Sequence, residues 1–150
     1  MKWVTRKRAM VDRIACPWLI KNFVDKDAEF LFVQEEEVTS VAKTEGAIPF
    51  DVKGAELYHY YDEKGNECVS FDAIIRKYRL GEPALLELAK IVRGADAHNA
   101  PNPPAESAGL KSAARGFREI SADDYQNMKL QFPLYDALYR YCQLKIEGIR

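Results

Sequence analysis

Few residues in this chain are suited to chemistry: it has only two histidines, His59 and His98, and three cysteines, Cys16, Cys68 and Cys142. His59 stands in Leu57-Tyr58-His59-Tyr60-Tyr61, which reads as a strand. Alternation would point Leu57, His59 and Tyr61 to one face. Cys68 follows beyond Asp62-Glu63-Lys64-Gly65-Asn66, a turn by composition. A hairpin there would bring imidazole and thiol together, and His and Cys are common ligands of a divalent transition metal such as zinc. Such a site needs more donors, and Asp51, Asp96, His98 and Glu29 are the candidates. His59, Asp96 and Cys68 form the expected metal set; the alternative is a hydrogen-bonded histidine beside a buried structural cysteine.

The segment Val92-Arg93-Gly94-Ala95-Asp96-Ala97-His98 suggests a helix that stops at Gly94 and turns sharply. Asp96 and His98 would then coordinate a cation or act as acid and base. The plainer role for Asp96 is to hold the loop through backbone amides. At Cys16-Pro17, a helix opening on the proline would leave Cys16 as its cap, at the positive end of the dipole and close to Arg13. Both features lower a thiol pKa and suit a redox thiol. The alternative is a small buried residue on an apolar face. Arg6 and Arg13 of the basic start, joined by Arg93, would make an oxyanion pocket if the fold converges them, because guanidinium forks match oxyanion geometry. A solvated charged face is the competing reading.

These residues need a scaffold. The chain has 150 residues, 47% apolar and 30% charged, which fits a single globular domain, 1–150. Its 22 basic and 23 acidic residues leave a net charge of −1, which argues against a general nucleic-acid or acidic-membrane binder. Three widely spaced cysteines without a CxxC pair suit reduced thiols in the cytoplasm. There is no signal-peptide core at the start, and no apolar run approaches a bilayer span.

Val11, Ile14, Ala15, Trp18, Leu19 and Phe23 recur at helical spacing, interrupted by Pro17, which either starts that helix or kinks it. Residues 28–33 read as a buried strand, 35–45 as a short helix ended by Gly46, and 47–52 and 56–61 as two more strands. Ser70 is placed to cap a helix through Tyr78, and Pro83 opens another that Gly94 would stop. The prolines at 101, 103 and 104 mark a connector. Ser121 and Asp124 come close to a capping box, and Pro133 would start a final helix. The expected architecture is α+β (or small α/β): helices around a short central sheet of about three or four strands, with a helical C-terminal third. Tyr135, Tyr139 and Tyr141 would form either a homodimer seam or the packing of the last helix.

No GxGxxG, P-loop, HExxH, GxSxG or helix-turn-helix pattern occurs. The blocks Trp3-Val4-Thr5-Arg6, Val11-Asp12-Arg13-Ile14-Ala15-Cys16-Pro17-Trp18-Leu19-Ile20 and Ala28-Glu29-Phe30-Leu31-Phe32-Val33 resemble the C-terminal domain of the chromate resistance protein ChrB family. The resemblance continues through Ala47-Ile48-Pro49-Phe50-Asp51-Val52, Cys68-Val69-Ser70-Phe71-Asp72, Ile91-Val92-Arg93-Gly94-Ala95-Asp96 and Pro133-Leu134-Tyr135-Asp136-Ala137-Leu138-Tyr139. It implies a part in chromate resistance and response. Longer members of the family are chromate-responsive regulators with a further N-terminal region. This chain begins almost at the Trp3 block, so a stand-alone domain without nucleic-acid binding is expected.

Three functions compete. A sensor would hold a small oxyanion with Arg6, Arg13 and Arg93, beside a metal at His59 and Asp96. An enzyme would use a metal held by His59, Cys68 and Asp96 with an open position, or Cys16 as a redox nucleophile. A structural or interaction domain would use the same polar residues only to lock the fold.

Overall fold

The computed structural model describes residues 1–149. A parallel sheet in the order β2-β1-β3 combines β1 (Lys2–Arg6), β2 (Glu29–Val33) and β3 (Ile48–Pro49). Trp3 of β1 lies opposite Phe30 on one side and Ile48 on the other. Helix α1 (Asp12–Phe23) connects β1 to β2, and a 3₁₀ turn followed by α2 (Val38–Glu45) connects β2 to β3. A small hairpin, β4 (Tyr60–Tyr61) with β5 (Glu67–Cys68), leads into α3 (Ser70–Tyr78), α4 (Pro83–Asp96), α5 (Glu106–Ile120) and α6 (Asp124–Ile146). The α+β expectation and the helical C-terminal third match this architecture.

Side chains alternate across the sheet as strand geometry requires. Trp3, Phe30 and Phe32 join the main core with α1, α4 and α6, whereas Val4, Leu31 and Val33 face the small cluster around Val38 of α2. The two connecting helices therefore cover opposite faces. In open parallel sheets of this kind, the crevice at the carboxyl ends of the two strands where the chain reverses direction is the usual ligand position. Here that crevice lies beyond β1 and β3.

Several boundaries differ from the sequence expectation. Strand β1 was read only as a basic start, because its apolar stretch is two residues long and flanked by charge. The strand expected over 47–52 shrinks to Ile48–Pro49, since a proline cannot extend the ladder. The strand expected over 56–61 keeps Tyr60–Tyr61, with Leu57 making an isolated bridge to Phe50. Helix α1 begins at Asp12, so Pro17 lies inside it and Cys16 is not its cap. Gly94 does not stop α4. The helix runs on to Asp96, and the missing Cβ makes room for Pro103 and Ser107 of the neighbouring chain segment.

Pro133 sits inside α6 rather than at its start. The helix begins instead where the Asp123 carboxylate accepts the amide of Gln126 at 2.8 Å. What holds α6 is a ladder. Asn127 Nδ2 donates to the carbonyl of Ala9 (2.9 Å), Gln131 Nε2 to Met10 (3.2 Å) and the Tyr135 hydroxyl to Val11 (3.3 Å). Side chains four residues apart stack on one helix face, so one stripe of α6 reads three successive carbonyls. The loop from β1 into α1 is thereby fixed, and with it Asp12 and Arg13. Tyr135 is fully buried and Tyr139 packs on Trp18 and Phe23, so both serve this chain's own core.

Candidate functional site

Four elements converge on one imidazole. His59, just ahead of β4, places Nε2 3.5 Å from Asp12 Oδ2, 3.4 Å from Asp51 Oδ1 and 3.3 Å from Asp96 Oδ2. Asp12 comes from the first turn of α1, Asp51 from the loop after β3 and Asp96 from the last turn of α4. Asp51 holds a left-handed φ of +50°, a conformation that aspartate tolerates better than most residues. Among the described residues, Asp12, His59 and Asp96 can each offer one ligand atom with all three atoms within 4.8 Å of one another.

The buried carboxylates are anchored. Asp12, 2% exposed, accepts the amides of Ser70 (2.8 Å) and Phe71 (3.1 Å) at the start of α3, and the Cys16 thiol approaches it at 3.4 Å. Asp51 accepts the Ser70 hydroxyl at 2.6 Å. Asp51 also lies 3.5 Å from Arg13 and 3.7 Å from Arg6, whose Nε donates to the Asp51 carbonyl at 3.1 Å. Arg13 donates to the Arg8 carbonyl at 2.9 Å, yet its buried Nε has no partner. Arg6, Arg13, Asp51, His59 and Asp96 line an open cleft of about 490 Å³ with Tyr58, Glu67 and His98, and Asp12 lies buried behind His59.

The charges answer one another. Burial pulls the His59 pKa down, but contacts with Asp12, Asp51 and Asp96 outweigh it and push the value up to about 12. Asp12 is pushed up to about 7 by burial and by the charges of Asp96 and Asp51, against the pull of His59. Burial also works to raise Asp51, but His59, Ser70 and Arg13 hold it below the usual carboxylate range. Without an ion, His59 is therefore an imidazolium among carboxylates.

A single Nε2–H satisfies one acceptor well, and charge-assisted N–H···O⁻ bonds are normally about 2.7–2.9 Å. Three carboxylates at 3.3–3.5 Å do not fit that pattern. The 3.5 and 3.3 Å separations of Asp12 and Asp96 from His59 Nε2 match the spacing of about 3.3–3.6 Å between neighbouring ligand atoms on a tetrahedral ion with bonds of about 2.0–2.2 Å. Imidazole with carboxylates suits borderline divalent ions such as zinc, manganese or iron. The α3 amides on Asp12 supply the outer contacts that orient a ligating carboxylate.

The residues singled out from sequence separate into two groups. His59, Asp96, Arg6 and Arg13 share the cleft. Cys68 and Arg93 do not, because the hairpin register pairs Tyr60, not His59, with Cys68 and so turns the thiol to the other face. Arg93 binds Asp72 through two hydrogen bonds, 2.6 and 3.0 Å, while Asp72 caps α3 by accepting the Val69 amide. Cys16 is fully buried, and burial together with Asp12 pushes its thiol pKa well up, the reverse of the shift expected for a helix cap. Glu29 is exposed at the amino end of β2, opposite Lys2. His98 lines the cleft and donates its amide to Glu67 at 2.6 Å. Asp12 was missed. It lay unremarked between Val11 and the apolar face of α1, and its signal was an acid at the opening of a buried helix, which requires a partner.

An α+β domain with a polar histidine–aspartate–arginine cleft at the carboxyl edge of a short parallel sheet is thus the class defined here. The chain belongs to the family described as ChrB, C-terminal domain, whose model matches residues 3–142. It is 30% identical over 141 residues to Protein ChrB of Cupriavidus metallidurans, a match covering 93% of this chain and 40% of that relative. The chain thus spans about two fifths of the length of that curated relative. No solved structure matches it. No helix among the described residues is long and apolar enough to cross a membrane.

Proposed function

We propose that the domain is the ligand-binding part of a chromate response. It holds a divalent transition-metal ion between Asp12, His59 and Asp96 and receives a small oxyanion on the side of Arg6 and Arg13. The observation that carries this reading is the clustering of one donor atom each from Asp12, His59 and Asp96 within 4.8 Å of one another.

Two guanidiniums support the anion half. With the ion bound and His59 neutral, one divalent ion and the guanidiniums of Arg6 and Arg13 balance the carboxylates of Asp12, Asp51, Glu67 and Asp96, and both arginines line the open side of the cleft. The unpartnered Nε of Arg13 supplies a donor already free of protein acceptors. When bound, the ion would supply a fixed positive centre and an open coordination position. The chain's own residues do the rest: α3 orients Asp12, Ser70 orients Asp51, and the two arginines set which anions enter.

Titration of the metal-free protein with Co²⁺, read by visible absorption, tests the ion. The expected result is a saturable tetrahedral or five-coordinate spectrum that His59→Ala abolishes. Chromate added to the loaded and metal-free forms then tests the anion, with binding expected only in the loaded form and weakened in Arg13→Met. A folded protein that gives no cobalt spectrum would refute the metal half. Equal chromate binding with and without the ion would refute the coupling.

A further inference from the structure

The cleft around His59 leaves a second cavity unexplained. About 450 Å³ in volume, it opens at the carboxyl ends of β1 and β2 and shares no lining residue with the first. Its cations are Lys7 and Arg8, just past β1, and Arg118 of α5. Its acids are already engaged. Asp123 caps α6, and both oxygens of Asp124 are taken by backbone amides, Arg8 at 3.0 Å and Ala9 at 2.8 Å. The remaining carboxylate nearby, Glu119, is 57% exposed and stands 3.5 Å from Arg8 and 3.9 Å from Arg118. Three carboxylates balance the three cations, but Asp123 and Asp124 point their oxygens at backbone amides, so the guanidiniums meet only the two loose contacts of Glu119.

Two further features point to an occupant. The buried Nε of Arg118 has no hydrogen-bond partner, which is uncommon for a buried donor. The wall is aromatic: Phe32 and Tyr125 meet edge to face at 5.5 Å, and Tyr125 is half exposed although its hydroxyl is anchored to the Phe30 carbonyl at 2.8 Å. A large aromatic ring held rigidly at the mouth of a cationic cleft presents a flat apolar surface beside a charged one.

We infer that this cavity binds a small organic anion carrying a planar ring, the ring against Phe32 and Tyr125 and its phosphate or similar oxyanion on Lys7, Arg8 and Arg118. A cavity of this size suits a ligand of roughly nucleotide dimensions or smaller. The site goes beyond the metal reading and does not depend on it.

The probes are 1-naphthyl phosphate, inorganic phosphate and 1-naphthol, titrated into the ¹⁵N-labelled full chain and followed through backbone amide shifts. The expected result is saturable movement at Arg8 and Ser121–Tyr125, with Tyr58–Tyr61 unmoved. 1-Naphthyl phosphate should bind at least about tenfold more tightly than either fragment, a difference of about 1.4 kcal/mol. Arg118→Met and Tyr125→Ala should each weaken it about tenfold. Lys7 is exposed, so Lys7→Met provides a variant whose folding is not at stake. The inference is overturned if 1-naphthyl phosphate moves no amide of this cleft, if phosphate alone binds equally well, or if all three variants bind like the parent.

Discussion

Gly94→Ala is the substitution whose outcome the packing of α4 determines most sharply. An alanine Cβ at this position would lie 2.8 Å from Pro103 Cβ and 2.9 Å from Ser107 Cβ. Neither atom is the end of a flexible side chain, so the connector and α5 would have to move away from α4. Ser107 is itself tied to the Ile91 carbonyl at 2.8 Å, which resists that movement. Overpacking of this kind costs about 1–3 kcal/mol, and the rigid neighbours place this case near the upper end. Replacing an internal helical glycine by alanine returns about 1 kcal/mol of helix propensity. The net loss is then about 2 kcal/mol, and at about 2–4 °C per kcal/mol for a chain of this size Tm falls by about 4–8 °C. Asp96 lies two residues further along the same helix, so cobalt affinity should fall too. Differential scanning calorimetry and the cobalt titration read the two effects. A Tm unchanged or raised by a few degrees would mean that propensity alone governs the position, and would refute the close-packing argument.

Other consequences can be checked independently. Because the folded, metal-free chain keeps the His59 proton up to about pH 12, well above the ordinary 6.5, an incoming ion must displace it. Metal affinity should therefore rise about tenfold per pH unit above about pH 7 and more steeply below it, where Asp12, pushed up to about 7, must also give up its proton, with proton release seen in calorimetry across buffers; a flat profile would contradict the pairing of His59 with the carboxylates. Arg93→Met should lower stability by about 1–2 kcal/mol, because it leaves the buried Asp72 carboxylate with the Val69 amide alone, the partly exposed Arg93 keeping the loss moderate. The same variant should leave metal uptake unchanged, and a loss of uptake would place Arg93 in the site after all. Native protein treated with an alkylating reagent should stay unmodified at Cys16 and react there only when unfolded. Rapid native modification would show that the thiol is neither buried nor held protonated.

Sequence legibility followed local physics. The β2 strand, the stop of α2 at Gly46 and the start of α4 at Pro83 rest on apolar runs or on single residues with strong backbone preferences, so they could be seen in advance. Strand β1 could not, because it borrows its place from β2 and β3 on either side. Helix α6 is stable through Pro133 because Asn127, Gln131 and Tyr135 bond to a loop far away in sequence. His59 and Asp96 were legible as chemistry, since polar residues stood out beside apolar stretches. Their partner was not: Cys68 fitted the spacing but lost to hairpin register, and Asp12 was recognisable only once α1 and α3 met. The two arginines of the cleft were found from charge, whereas Arg93 was drawn away by Asp72.

The most direct test of the metal site is elemental analysis of the untagged protein purified without added metal, alongside His59→Ala and Asp96→Asn. The account predicts a near-stoichiometric divalent transition metal in the parent and its loss in both folded variants. A parent that is folded, carries no such ion and takes none up on addition would contradict it.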